Sequence, residues 1–399
     1  TLEDLEGIIK NTLFVEGPIP FARFMEMALY YPGLGYYTSG QRRTGAYGDY
    51  YTSPQAHPVF SALLALQLER MWQVIGRPKT FHVVEAGAGE GQLAQDILSY
   101  SRRLEEGFQE ALVYIATDLR FGGTRVGAVR FDTPPLLTVA SRGLPFHNLR
   151  GCILSNELLD AFPVHRLVVQ GGTYKEIYVT LAGNALVEVL GEVPVPISDL
   201  LGVQMSLPPE GSTLEICPQV WEWMAEAARA LTEGFLLTID YGYWDTPKED
   251  TVASYRRHSA ASPYERVGQQ DLTAHVDFGA VMEAGRRVGL TPLGLVSQRR
   301  FLMDLGLGAF KEAAARLRLP QRQHQANQMA MLDLARPEGL GSFGVMIQYK
   351  GGLPIFMGDL ALERQVKDRL AAGDLPAPLL SREHIPLVEG RYPHLAWEY

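Results

Sequence analysis

A strand that runs straight into three alternating glycines constrains this chain more than any other stretch. Phe81-His82-Val83-Val84 is a short apolar run and reads as a buried strand. It ends in Glu85-Ala86-Gly87-Ala88-Gly89-Glu90-Gly91. Gln92-Leu93-Ala94-Gln95-Asp96-Ile97-Leu98 follows, with apolar residues at helical spacing. The unit is therefore a strand, a tight loop and a helix N-terminus. Glycine lets the backbone turn sharply and lets a ligand lie against the main chain. The helix start adds unsatisfied N–H donors and the positive end of a dipole. Dinucleotide folds use a related unit with the spacing G-x-G-x-x-G. Here the spacing is G-x-G-x-G, with Glu85 two residues ahead of the first glycine. Taken alone, such a loop is a weak signal, with a purely structural strand–helix turn as the alternative.

Further strands follow at intervals. Residues 111–118 read as a second strand ending in Asp118. An acid at that point hydrogen-bonds ribose in nucleoside-binding doubly wound folds, or else caps a helix. Residues 137–140 give a third strand, and 151–155 a fourth that leads into Asn156-Glu157-Leu158-Leu159-Asp160-Ala161-Phe162-Pro163. The fifth runs 234–240 and ends in Asp240-Tyr241-Gly242. The sixth and seventh cover 292–296 and 343–349. Between the fourth and fifth, residues 164–190 alternate apolar and polar around Gly171-Gly172 and Gly183-Asn184, the pattern of an inserted antiparallel ribbon. Asp277 should cap a helix running to Val288. Ahead of the first strand, two helical patterns are followed by a tyrosine- and glycine-rich stretch, residues 30–57, with the composition of a functional loop or lid. The tail beyond Gly351 predicts one helix, 360–371, and then proline-rich extended chain.

Composition narrows the class. With 46% hydrophobic and 20% charged residues, 399 residues can bury a large core. The net charge of −9 argues against a nucleic-acid surface. No apolar run approaches a membrane span and no signal peptide opens the chain, which points to bacterial cytoplasm or, in a eukaryote, the mitochondrial matrix. The two cysteines make no disulfide framework, and the nine histidines show no metal-ligand spacing.

The loop with its leading acid resembles motif I of class I S-adenosylmethionine-dependent methyltransferases. Four other motifs occur with it: Gly48-Asp49-Tyr50-x-Thr52-Ser53-Pro54, Ser155-Asn156-Glu157-Leu158-Leu159-Asp160-Ala161-Phe162-Pro163-Val164-His165, Asp240-Tyr241-Gly242, and Asp271-Leu272-Thr273-Ala274-His275-Val276-Asp277-Phe278. Together they resemble the MidA family, over residues 20–350. That group includes a mitochondrial complex I assembly factor that methylates protein arginine. This chain has Tyr50 where the family often has Phe, Gln55 where it often has an acid, and Glu90 where mitochondrial members commonly have arginine.

The resemblance implies a Rossmann-like, seven-stranded α/β fold with an N-terminal helical lid and an inserted ribbon and helices. It divides the chain into a lid segment, 1–57, a methyltransferase domain, 58–350, with insertions at 164–210 and 243–335, and a C-terminal extension, 351–399. It implies S-adenosylmethionine as cofactor and S-adenosylhomocysteine as product. Glu85, Gly87, Gly89, Gly91, Asp118, Asn156, Asp49, Ser53 and Pro54 become the cofactor-side candidates. Tyr50, Asp240, Tyr241, His258 and Asp277 are the substrate-side candidates.

Methyl transfer from a sulfonium needs alignment more than covalent help. A guanidinium acceptor needs carboxylates to hold it. Glu157 and Asp160 follow the fourth strand and are the candidates for that task, although Asp160 and Asn156 serve equally as helix caps. His275 is either a general base or a structural histidine. The acceptor implied is a protein arginine. A small metabolite, or an assembly factor that holds a partner and binds the cofactor, are the alternatives, with a homodimer left open.

Overall fold

The computed structural model describes residues 4–39, 52–119, 136–201, 207–244, 250–256, 259–260, 262–395 and 397. The chain forms two compact units. One comprises Arg43–Leu158, Met224–Tyr241 and Met282–Tyr399; the other comprises Thr1–Arg42, Leu159–Trp223 and Gly242–Val281.

The first unit is built on a sheet of seven strands. In chain order they are β1 (Phe81–Ala86), β2 (Leu112–Asp118), β3 (Leu137–Ala140), β4 (Leu149–Asn156), β5 (Leu231–Asp240), β6 (Thr291–Ser297) and β7 (Gly344–Lys350). Their spatial order is β3-β2-β1-β4-β5-β7-β6. The first five in that order are parallel, and β7 runs antiparallel to both β5 and β6. This is the doubly wound sheet expected from the sequence, with the order reversing between β1 and β4. Ligands bind such sheets beyond the carboxyl ends of the strands, at that reversal.

The central strands are apolar on both faces, as parallel strands between helices must be. Phe81, Val83, Tyr114, Cys152, Leu154, Phe235, Leu237, Val345 and Ile347 all belong to one buried core. The helix Val59–Val74 packs on the same core and is buried along nearly its whole length. Both cysteines are free thiols. In the C-terminal segment the helix Glu363–Ala372 forms as expected. The residues beyond it are not wholly extended, because a second helix spans Ile385–Arg391. Pro386 stands in its first turn, where a missing N–H costs no hydrogen bond.

The second unit carries a five-stranded antiparallel sheet. Its main hairpins are His165–Gln170, Thr173–Ala182 and Ala185–Gly191, joined through the left-handed Gly171-Gly172 and Gly183 positions. The ribbon read from alternating residues is therefore present. Two helices, Leu5–Glu16 and Phe21–Tyr30, belong to this unit. No helix among the described residues is long and apolar enough to cross a membrane.

Close approach of the three middle strands rests on two glycines. Gly151 in β4 pairs in register with Gly234 in β5, at φ of 156° and 147°. A Cβ on Gly151 would fall on the His82 carbonyl oxygen of β1, and one on Gly234 would fall on the Gly151 carbonyl oxygen. Neither obstacle is a flexible side chain. We therefore expect Gly151→Ala to destabilise the protein by about 3 kcal/mol, the range of overpacking with backbone displacement. Urea unfolding would check this, and a loss below about 0.5 kcal/mol would show that the strands are not held this closely.

Candidate active site

The loop between β1 and the helix Gln92–Ser101 has three left-handed glycines: Gly87 at φ 71°, Gly89 at 54° and Gly91 at 80°. Only glycine adopts that sequence of conformations without strain. The loop is closed by backbone bonds from Gly91 N–H to the Ala88 carbonyl (2.8 Å) and from Ala88 N–H to the Thr117 carbonyl (3.0 Å). Gly91 is the N-cap of the helix and supplies no side-chain cap. A Cβ on Gly89 would meet nothing within 4 Å, whereas one on Gly87 would stand 2.9 Å from the Leu158 side chain. The loop thus presents bare backbone on one side and leans on the end of β4 on the other.

Two carboxylates attend this loop. Asp118 ends β2, and its Oδ2 accepts the Gly89 N–H at 2.9 Å. Glu85, in β1, is buried, and its Oε2 accepts the Tyr114 hydroxyl at 2.7 Å. Burial pushes the Glu85 carboxyl up to about 8, against the lowering pull of that hydroxyl.

The ends of β4 and β5 form the other wall. Asp240 is fully buried. Its Oδ2 accepts the Leu158 N–H (3.1 Å) and its Oδ1 accepts the Tyr241 N–H (2.8 Å). The Glu157 N–H donates to the Ile239 carbonyl at 2.9 Å. Held at both sides, Glu157 takes φ +54°, which a non-glycine residue rarely adopts. Strain of this kind concentrates at functional sites. The Asn156 amide donates to Glu157 Oε1 at 3.1 Å, while Asn156 Oδ1 is buried with no hydrogen-bond partner among the described residues. Tyr241 lies 37% exposed beside the Phe343 ring.

The sequence candidates do not all lie in this unit. It holds Glu85, Gly87, Gly89, Gly91, Asp118, Asn156, Glu157, Asp240 and Tyr241 around one end of its sheet. Ser53 and Pro54 also belong to it, but Ser53 is fully buried and its hydroxyl bonds the Gln298 side chain (3.1 and 3.0 Å). In this structure Ser53 ties a short helix to the core. Asp49, Tyr50 and His258 lie outside the described residues, as does residues 40–51 of the tyrosine-rich stretch.

Asp160, His275 and Asp277 fall in the second unit. The Asp160 carbonyl accepts the Ala274 N–H (2.9 Å), which brings the 159–161 turn against the His275 segment. His275 N–H donates to Thr251 Oγ1 at 2.9 Å. Asp277 caps its helix as expected, accepting the Ala280 N–H at 3.0 Å. His275, Asp277, Glu215, Cys217 and Trp221 line a cavity of about 160 Å³ within that unit, together with aliphatic side chains. Tyr30 and Tyr37 stack at 5.6 Å; Tyr37 donates to Asp271 (2.9 Å) and Tyr30 to the Ala161 carbonyl (2.8 Å). Among the described residues no group of three metal-ligating side chains converges.

Sequence reasoning missed Tyr114 and Leu158. The signal for Tyr114 was a phenol at an inward position of an otherwise apolar strand. None marked Leu158, whose contribution is its backbone N–H and its contact with Gly87.

Residues 63–296 match the model of a family of S-adenosyl-L-methionine-dependent methyltransferases. The chain is 29% identical over 344 residues to the mitochondrial protein arginine methyltransferase NDUFAF7 homolog of Drosophila melanogaster, covering 79% of this chain and 78% of that protein. It is 27% identical over 328 residues to mitochondrial protein arginine methyltransferase NDUFAF7 of Homo sapiens, covering 75% and 71%. A Burkholderia thailandensis protein crystallised bound to S-adenosyl-homocysteine superposes with a TM-score of 0.77 at 28% identity, covering 90% of this chain and 94% of that one.

If the corner at Glu157 is strained for the sake of its carboxylate, relieving the strain should separate stability from activity. Glu157→Gly should raise stability by about 1 kcal/mol, measured by thermal or urea unfolding, while methyl transfer falls. A stability loss would show that the Glu157 side chain is there to hold the turn.

Proposed function

Because the chain belongs to the MidA-type family of S-adenosylmethionine-dependent methyltransferases, we propose that it methylates arginine on a protein partner. The observation that carries this reading is the Asn156-Glu157 corner: a carboxylate held in left-handed backbone where β4 ends, beside the glycine loop. The residues present fit the cofactor. Among the described residues, the loop offers bare backbone at Gly89, no side chain caps the helix start at Gly91, and the buried Asn156 oxygen has no donor.

When bound, the cofactor supplies a methyl group on a sulfonium. Gly87, Gly89 and Gly91 would hold its methionine portion, Asp118 its ribose hydroxyls, and Asn156 one of its polar groups. Glu157 would hold and orient the acceptor guanidinium through charge-assisted hydrogen bonds, so that its lone pair is aligned for transfer. Asp160 and His275 stay catalytic candidates and Asp277 a substrate-side one, with His275 the candidate for taking a proton. The relatives named as mitochondrial extend the proposal to location: the matrix in a eukaryote and the cytoplasm in a bacterium. A homodimer belongs to the same proposal, and sedimentation would read it.

Incubation of a cell extract with tritiated cofactor should label a protein at arginine. Label on a small metabolite alone would replace this acceptor with a metabolite, and no label would favour partner binding. Gly89→Val should lose S-adenosylhomocysteine binding in calorimetry with circular dichroism unchanged. Glu157→Gln should lower transfer by about 100-fold and cofactor affinity far less. Equal loss of both would move Glu157 to the cofactor.

A further inference from the structure

The carboxyl that opens the glycine loop has a partner that the motif does not contain. Glu85 is 4% exposed and Tyr114 fully buried, and the phenol donates to Glu85 Oε2 at 2.7 Å. Glu85 pairs in register with Ala116, so Tyr114 reaches it from two residues back along β2. A phenylalanine would fill the same space in this core. A buried phenol must find a partner, and the partner here is the acid at the mouth of the loop. The other groups bearing on this pair are few. From β2, Asp118 acts on Glu85; from β4, the Cys152 thiol acts on Tyr114. Among the described residues, neither of these is basic.

We propose that Tyr114 is a positioning residue of the cofactor site, its hydroxyl fixing the Glu85 carboxyl under the glycine loop as counter-charge for the cationic amino end of the cofactor. This rests on the reading of Gly87–Gly91 as the cofactor floor. Without a cation nearby, burial keeps Glu85 largely protonated, its carboxyl pushed up to about 8. A cation placed beside it favours the ionised form. Binding therefore releases the Glu85 proton to solvent, and the carboxylate left behind keeps the Tyr114 hydrogen bond. Below about pH 8 the proton competes with the cofactor, so affinity falls as pH falls. The Tyr114 hydroxyl lowers the pKa of Glu85, so removing it raises the midpoint of this titration. Above both midpoints the difference disappears.

The test is calorimetry of S-adenosylhomocysteine binding to wild type, Tyr114→Phe and Glu85→Gln, from about pH 6.5 to about pH 9.5, in buffers of different ionisation heat. The ratio of the Tyr114→Phe and wild-type dissociation constants cancels the ligand's own titration. It should be about tenfold at the acid end and approach one at the alkaline end. Wild type should release a proton near neutral pH that Glu85→Gln does not. A ratio constant with pH, or wild-type binding without proton release, overturns the proposal. Should Tyr114→Phe fail to fold, Tyr114→Met is read against wild type in the same way, while the proton release of wild type against Glu85→Gln tests the counter-charge alone. Gly89→Val separates the two readings: if it binds like wild type, the cofactor floor is wrong. If it loses binding while the Tyr114 ratio stays flat, only the positioning role fails.

Discussion

The carboxylate of Asp240 determines how the carboxyl end of the sheet is shaped. Two strands end side by side there, and each is followed by a backbone N–H left without a strand partner. An unsatisfied N–H in that position costs about 1–3 kcal/mol. Asp240 answers both, at Leu158 and at Tyr241. With Leu158 fixed on one side and Glu157 N–H bonded to Ile239 on the other, the chain between has one route left. Glu157 is driven into left-handed backbone, and its side chain is presented at the corner. The same fixed Leu158 packs over Gly87. A single buried acid therefore sets both the loop that would hold the cofactor and the carboxylate that would meet the acceptor.

That arrangement needs β1, β4 and β5 to be close and rigid. The paired glycines Gly151 and Gly234 remove the side chains that would keep these strands apart. The surrounding core, with Phe81, Phe235 and Tyr114 fully buried, leaves little freedom for the strand ends to drift. Positioning supplies much of the rate in transfer from a sulfonium, so a stiff sheet under a stationary loop is the appropriate scaffold.

What could be read from the sequence was whatever has a local period or a local chemistry. The strands, the glycine loop, the ribbon turning at Gly171-Gly172 and the cap at Asp277 all follow from neighbouring residues, and all are present. Partners distant in sequence were not legible. The sequence offered Asp240 as a substrate-side candidate; its bond to the Leu158 N–H, 82 residues away, carries no local signal. Ser53 sits in a recurring motif, yet its hydroxyl is spent on Gln298, 245 residues later. Tyr114 read as one more strand aromatic. The helix at Ile385–Arg391 was hidden because proline reads as a breaker unless its place in the first turn is known.

The two acids beside the loop show how one fold separates their roles by environment. Glu85 and Asp118 both stand at strand ends next to the glycines, in adjacent strands. Glu85 is enclosed, its hydrogen-bond partner among the described residues a neutral phenol, and burial favours its uncharged form. Asp118, by contrast, is only part-buried and takes the Gly89 N–H at 2.9 Å. A pair of carboxyls held in such different surroundings can do different work from the same place. The outer one is free to exchange its backbone partner for a ligand's hydroxyl groups without being buried. The inner one, held largely uncharged by burial near neutral pH, would ionise more readily beside a cation. Burial thus favours the uncharged form of Glu85, which no basic group among those acting on it in the described residues offsets.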